Sequence, residues 1–301
     1  MELKMEGFKP LTPQDKTIFD PYYDKMNGQW PSSLFFTEMV AWCHSFTIYY
    51  KKINQYIVCF AVDSINNRKV FLPFFGHYIQ KDINETFAVV EEVAGVLEIP
   101  LVIMDVAEWM KPYYEAIPGV NWEVKYDRGL SDYIYQVDDF RKALQAEKIR
   151  YNYNYFVRRN QPEKTIITAE GIQECIDFVS NTWCKTHECS ECVYGCLKST
   201  LEVMREIDVL DAKGLMIHSK GELIAYCIVS CQKEFGAFHF KKTKRGFQGI
   251  NEYLHKECLE EFLQEAKLIN YAEDMNIDGL REYKSRVAPY TLAPRYELKK
   301  L

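Results

Sequence analysis

The chain has 301 residues, 48% of them hydrophobic and 15% aromatic, with 43 acidic side chains against 37 basic ones and a net charge of −6. That composition excludes a disordered chain and gives no whole-chain electrostatic reason for general nucleic-acid binding, while the length suits two domains of ordinary size. No apolar run approaches the roughly 18 residues that cross a bilayer, and Met1–Glu6 lacks the apolar stretch of a secretion signal, so the expected compartment is the cytoplasm and the ten cysteines are expected as reduced thiols.

In chain order, Thr12-Pro13-Gln14-Asp15 is an N-cap followed by a first-turn proline and an acid, which predicts a helix over Pro10–Tyr23. Leu34–Trp42 continues as an aromatic-rich helix. Thr47–Tyr50, Gln55–Val62 and Lys69–Phe75 read as the strands of a meander. Phe87, Val90, Val93 and Val96 give helical spacing to Asn84–Leu97, followed by a buried-type strand at Leu101–Asp105 and a helix over Ala107–Ala116 that stops before Pro118-Gly119.

The domain join falls near Asp132–Val137, with domains expected over 1–135 and 136–301. Asp138 caps a helix through Phe140 and Leu144, and Glu170–Thr186 and Cys196–Asp208 read as two further helices. Leu215–His218 and Leu223–Cys231 form a hairpin across Ser219-Lys220-Gly221-Glu222, with Phe235–Phe240 as the third strand. Ile250, Tyr253, Leu254, Cys258, Leu259, Phe262 and Leu263 make one apolar helical stripe, before strands at Leu268–Tyr271 and Tyr290–Leu298. Both halves thus run helix, helix, meander, helix, strand, which hints at two copies of one fold.

Four clusters carry chemistry. Gly246–Gly249 leads into a helix start whose free amides suit a phosphate, with Lys244 and Arg245 adding charge and Lys242 and Asn251 beside it; a Gly-x-x-Gly is also an ordinary turn. Glu273 and Asp274 follow a strand, and Arg281 and Lys284 lie three apart on a helix that Asp278 would cap; these four suit a base and an oxyanion clamp, or a salt-bridge cluster closing the domain. Lys148, Arg150, Arg158, Arg159 and Lys164, interleaved with Tyr151, Tyr153 and Tyr155, suit contact with RNA, although the three tyrosines could equally alternate along a strand. Cys184, His187, Cys189, Cys192 and Cys196 are soft ligands at near-zinc spacing, without the second Cys-x-x-Cys pair of a structural zinc site; reduced loop thiols are the simpler expectation. Among His218, His239 and His255, the preferred general base is His239, beside Lys242.

Phe238-His239-Phe240-Lys241-Lys242, Gly246–Asn251, Glu273-Asp274, Gly279-Leu280-Arg281 and Lys284 before Pro289 resemble the phosphatidylglycerol lysyltransferase C-terminal domain family; Phe35–Trp42, Asp132–Tyr135 and Lys148–Phe156 extend the likeness over most of the chain. One departure is that Lys241 stands where the family carries an acid. The resemblance implies an α/β (α+β) protein of two tandem GNAT-like domains, each a mixed, mainly antiparallel sheet flanked by helices. It also implies direct transfer of an acyl or aminoacyl group, from an acyl-CoA or aminoacyl-tRNA donor to an amine or hydroxyl, with no required cofactor and no covalent enzyme nucleophile. Under it Glu273, Asp274, Arg281, Lys284 and His239 are the expected catalytic residues, and Lys242, Lys244, Arg245, Gly246, Gly249 and Asn251 the expected donor-binding ones. The alternative is a binding protein that kept the fold and lost turnover.

Overall fold

A computed structural model describes residues 7–64, 66–183 and 196–301. The chain forms two compact units, Met1–Asp132 with Ala293–Leu301, and Tyr133–Leu292.

In the first unit, Asp15 accepts from the backbone N–H and hydroxyl of Thr12, both at 2.9 Å, so the expected cap forms and leads through a 3₁₀ turn into α1 (Lys16–Tyr23). A second short helix, α2, covers Phe36–Ala41. The meander is β2 (Phe46–Ile53), β3 (Tyr56–Asp63) and β4 (Lys69–Phe71), with β1 (Lys9–Pro10) on its edge. β4 stops short of its expected end at Phe75 because Pro73 has no N–H for the ladder. α3 (Gln80–Val96) crosses over and β5 (Val102–Ala107) pairs parallel to β4. The helix expected over Ala107–Ala116 is only α4 (Lys111–Glu115), and a strand that the pattern does not reveal, β6 (Trp122–Tyr126), follows.

The chain end differs from expectation. Tyr290–Leu298 is two strands, β13 (Thr291–Ala293) and β14 (Arg295–Lys300), and they enter different sheets. β14 pairs with β5 and β6 in the order β1-β2-β3-β4-β5-β14-β6, seven strands among the described residues. Leu298 is fully buried there, and Arg295 reaches Asp105 at 3.6 Å and Asp132 at 3.9 Å, so the last nine residues belong to the first unit rather than to the second domain expected over 136–301.

The second unit begins with β7 (Asp132–Gln136), α5 (Val137–Leu144) and α6 (Glu147–Asn160). Tyr151, Tyr153 and Tyr155 therefore lie on a helix and do not alternate along a strand. Tyr151 stacks on Tyr155 on the exposed side, ring centroids 6.2 Å apart, and Tyr153 stacks on Tyr253 at 5.4 Å. An exposed edge strand, β8 (Glu163–Ile166), has no apolar alternation to betray it. α7 (Ile172–Asp177) runs into a π-helical turn at Phe178–Trp183, and the remainder of the helix expected to Thr186 lies outside the described residues. After α8 (Cys196–Arg205), β9 (Lys213–Ser219) and β10 (Glu222–Gln232) form the expected hairpin, whose two loop residues, Lys220 and Gly221, have φ of 53° and 77°, as a two-residue loop between right-twisted strands requires. β11 (Phe235–Thr243), α9 (Ile250–Glu261), β12 (Leu268–Asn270) and α10 (Asp278–Val287) complete the unit, with sheet order β13-β7-β12-β11-β10-β9-β8. The predicted stripe of α9 is buried against Ile224, Cys227, Val229 and Ile269 in one continuous core.

Candidate functional site at the ends of the parallel strands

β11 and β12 form a parallel pair in the second sheet, in register at Phe235↔Leu268, Gly236↔Ile269 and Ala237↔Asn270. β12 ends there while β11 runs on to Thr243, so the pair has an unpaired stretch at its C-terminal end, where open α/β sheets hold their ligands. On its other side β11 pairs with β10, and the register slips between Ile228 and Val229: Phe240 faces the first and Phe238 the second, leaving His239 as the extra residue of a bulge. The bulge decides which way the next side chains turn. Phe238 packs on His255 and Tyr271, and Lys241 bonds to the same two groups, although strict alternation would put residues 238 and 241 on opposite faces. His239 meets Ser230 instead, with 2.7 Å between Nε2 and Oγ.

Two polar clusters meet the strand ends. In the first, the fully buried Asp274 accepts from Tyr133 Oη at 2.8 Å, from Arg281 Nε at 3.2 Å and from the N–H of Asn276 at 2.9 Å. Arg281 also donates to Asn276 Oδ1 at 3.0 Å. Lys284, one helical turn later, donates to the carbonyls of Tyr271 and Glu273, both at 2.6 Å, and lies over the rings of Tyr133 and Tyr271. Ala272, Met275 and Asn276, between β12 and α10, take φ near +55°, which costs roughly 1 kcal/mol or more each. Three of the four expected side chains, Asp274, Arg281 and Lys284, thus form one cluster, while Glu273 enters it through its backbone carbonyl and keeps a half-buried side chain. Asp278 is the first residue of α10, and Ile277 is its cap.

In the second cluster, Lys241 Nζ stands 2.6 Å from Tyr271 Oη, 2.6 Å from Tyr283 Oη and 3.2 Å from His255 Nε2. Tyr271 Oη is itself 2.7 Å from His255 Nε2. Burial, aided by the charge of Lys284, pulls the Lys241 ammonium down to about 7. Burial and the Lys241 charge hold His255 well below the usual histidine range, and burial pushes both tyrosine hydroxyls up. Of this cluster the sequence singled out only Lys241, as a departure, and His255, as one of three lone histidines; Tyr271 and Tyr283, 12 positions apart and one on a helix, offer no periodic signal.

The family model for the phosphatidylglycerol lysyltransferase C-terminal region matches residues 27–299. The chain belongs to that family. No curated protein sequence matches it. Among solved structures, a conserved Bacteroides thetaiotaomicron protein of unknown function is 22% identical with a TM-score of 0.89, over 98% of this chain and 99% of that one. FemX is 10% identical at 0.68, over 98% and 97%, and the L-PGS of Bacillus licheniformis is 12% identical at 0.65, over 95% and 92%. The fold is a tandem GNAT-like one, and family and fold place this lysyltransferase-family chain among acyl- and aminoacyl-transferase-like proteins. No described helix is long and apolar enough to cross a membrane.

The glycine loop of this family member is shaped first by packing. Gly249, at φ 88°, caps α9, and a Cβ there would lie 2.1 Å from the carbonyl oxygen of Asn152 on α6. Gly246, at φ 90°, faces open space; Arg245 is exposed, Asn251 half-buried and Lys242 buried, while Lys244 pairs with Glu222. In the basic stretch, Lys164 is taken by Glu257 at 2.8 Å and Glu261 at 2.9 Å, which raise its ammonium, and Arg159 donates to Tyr155 Oη at 2.7 Å. The expected soft-ligand cluster of Cys184, His187, Cys189, Cys192 and Cys196 lies outside the described residues or at their edge; among the described residues no three His, Cys, Asp or Glu side chains are grouped to hold a metal.

Proposed function

We propose that this chain moves an acyl or aminoacyl group directly from an acyl-CoA or aminoacyl-tRNA to an amine or hydroxyl acceptor, at the C-terminal ends of β11 and β12. The reading is carried by one observation: in a chain of this family, a parallel strand pair of the second sheet ends in a stretch unpaired on one side and flanked by cations. Glu273 is the side chain to grip the donor's ammonium, and Arg281 and Lys284, held rigid by Asp274 and by backbone carbonyls, steady the oxyanion that forms on the donor carbonyl. Lys242, Lys244, Arg245, Gly246, Gly249 and Asn251 are the donor-binding residues of this reading, and His239 its candidate general base. Because attack is direct, the protein's share is positioning and charge stabilisation. Such donors fit a cytoplasmic compartment. The exposed Tyr151–Tyr155 stack, with the Arg159 guanidinium 5.7 Å from the Tyr155 ring centroid, favours the tRNA form of donor.

A thermal-shift screen with acetyl-CoA, longer acyl-CoAs and a 3′-aminoacyl-tRNA mimic tests the proposal. A true donor at 100 times its Kd stabilises the fold by about 2.7 kcal/mol, and Arg281→Ala and Lys284→Ala diminish that gain. No shift with any donor removes the transferase reading; an undiminished shift in both variants moves the pocket elsewhere. Binding without any product supports the alternative, an inactive ligand- or RNA-binding relative.

A further inference from the structure

We propose that Lys241 is the base of the transfer: its amine takes the proton of the attacking amine or hydroxyl as that group bonds to the donor carbonyl carbon. The inference rests on the transferase reading and adds the group that would make the acceptor nucleophilic.

The geometry is that of a site built for two protonation states. The three hydrogen-bond partners of Lys241 Nζ are neutral groups, two phenol oxygens and an imidazole nitrogen, and among the described residues no carboxylate touches it. As an ammonium it has three N–H donors for those three acceptors. As a free amine it can accept from the Tyr283 hydroxyl and donate to Tyr271 Oη, while Tyr271 donates to His255 Nε2. Neither state leaves the Lys241 nitrogen without a partner, so the proton can leave and return with no more than the rotation of a hydroxyl. His255 and Tyr271 are buried, whereas the Lys241 and Tyr283 residues are partly covered.

The surroundings keep the free amine populated. Facing it are Cys227 on β10, Glu252, His255 and Cys258 on α9, Tyr271 beyond β12, and Tyr283 and Lys284 on α10. The nearby cation of Lys284 and the loss of water outweigh the distant Glu252, and a base titrating near neutrality is both free to accept a proton and strong enough to hold it. The step balances without any oxidant. The nucleophile's lone pair forms the new bond to the carbonyl carbon, and its proton moves to Lys241 Nζ. The C–O bond of the tRNA ester, or the C–S bond of the thioester, then breaks, and the proton passes to the departing oxygen or sulfur.

Two measurements test this. First, wild-type protein is labelled with trace acetic anhydride across pH 5–11 and the Lys241 peptide followed by mass spectrometry; the expected midpoint is near pH 7, and a midpoint shared with the exposed lysines near 10 overturns the proposal. Second, transfer from a donor that shifts the melting curve is followed against pH in wild type, Lys241→Arg and Tyr283→Phe. Lys241→Arg keeps a cation that cannot act as a base, so kcat falls about 100- to 10,000-fold while the donor-induced thermal shift stays. Tyr283→Phe keeps the amine but removes one acceptor of its charged form, so the acid limb of kcat/KM moves to lower pH. A Lys241→Arg rate within a few-fold of wild type, or an acid limb near 4–5 that Tyr283→Phe leaves in place, assigns the base to a carboxylate such as Glu273 and overturns the proposal. A wild type that binds donors but transfers nothing defeats the transferase reading and the base with it, whereas an aberrant labelling midpoint in an active wild type defeats the base alone.

Discussion

The two units follow one plan, a meander whose last strand is joined through a helix to a parallel neighbour, yet they fill the strand ends differently. Beyond β4 the first unit packs rings: Phe74 on Tyr114 at 5.5 Å, Phe75 on Tyr23 at 5.4 Å, Tyr78 on Trp109 at 4.9 Å. Their hydroxyls serve the backbone, as when Tyr114 Oη accepts from the N–H of Phe74 at 3.0 Å. The equivalent place in the second unit holds Lys241, His255, Asp274, Arg281 and Lys284. Apolar filling lowers the free energy of one state, whereas ionisable filling costs stability and gains groups that can change charge. The same scaffold thus holds packed rings in one copy and a cluster of ionisable groups in the other.

The contrast is broken most sharply at Asp274. Asp274→Ala leaves the Arg281 guanidinium and the Tyr133 hydroxyl without their buried acceptor, so urea unfolding should show a loss of about 3–5 kcal/mol; a loss under 1 kcal/mol would mean the carboxylate is no structural keystone. In the first unit, Tyr114→Phe removes the acceptor for the Phe74 N–H and should cost about 1–3 kcal/mol while leaving the donor-induced thermal shift intact. A change in donor binding there would show that the first unit is more than packing.

The last test, small only per pH unit, is the pH dependence that Lys241 imposes. Its amine titrates near 7 in the folded protein against 10.5 for a free lysine, so between those values the unfolded chain holds a proton that the folded chain lacks. Its penalty is therefore full below pH 7 and relieved as pH rises toward 10.5. Stability rises across that window by at most about 1.4 kcal/mol per pH unit. Chemical-denaturation curves of wild type minus Lys241→Met should show this slope, and a flat difference would return Lys241 to an ordinary surface lysine.

What could be read from the residues was whatever is local. The cap at Thr12, the two-residue turn at Lys220-Gly221 and the apolar stripe of α9 each depend on neighbours within a turn or two of chain, and each appears where the pattern put it. The pairing of Arg281 with Lys284 on one helix face was legible for the same reason. Other features depend on distant partners. Tyr133 closes on Asp274 across 141 positions, and Arg295 carries the last strand back to Asp105 and Asp132 in the first sheet. The direction of Lys241 depends on a bulge, a one-residue mismatch between two strands that neither strand reveals alone. Composition and periodicity determined a two-part α/β chain with its charges gathered near β12. Only tertiary structure decided which of those charges neutralise one another and which lysine is left among neutral partners, because burial and pairing, not residue type, set the cost of a charge.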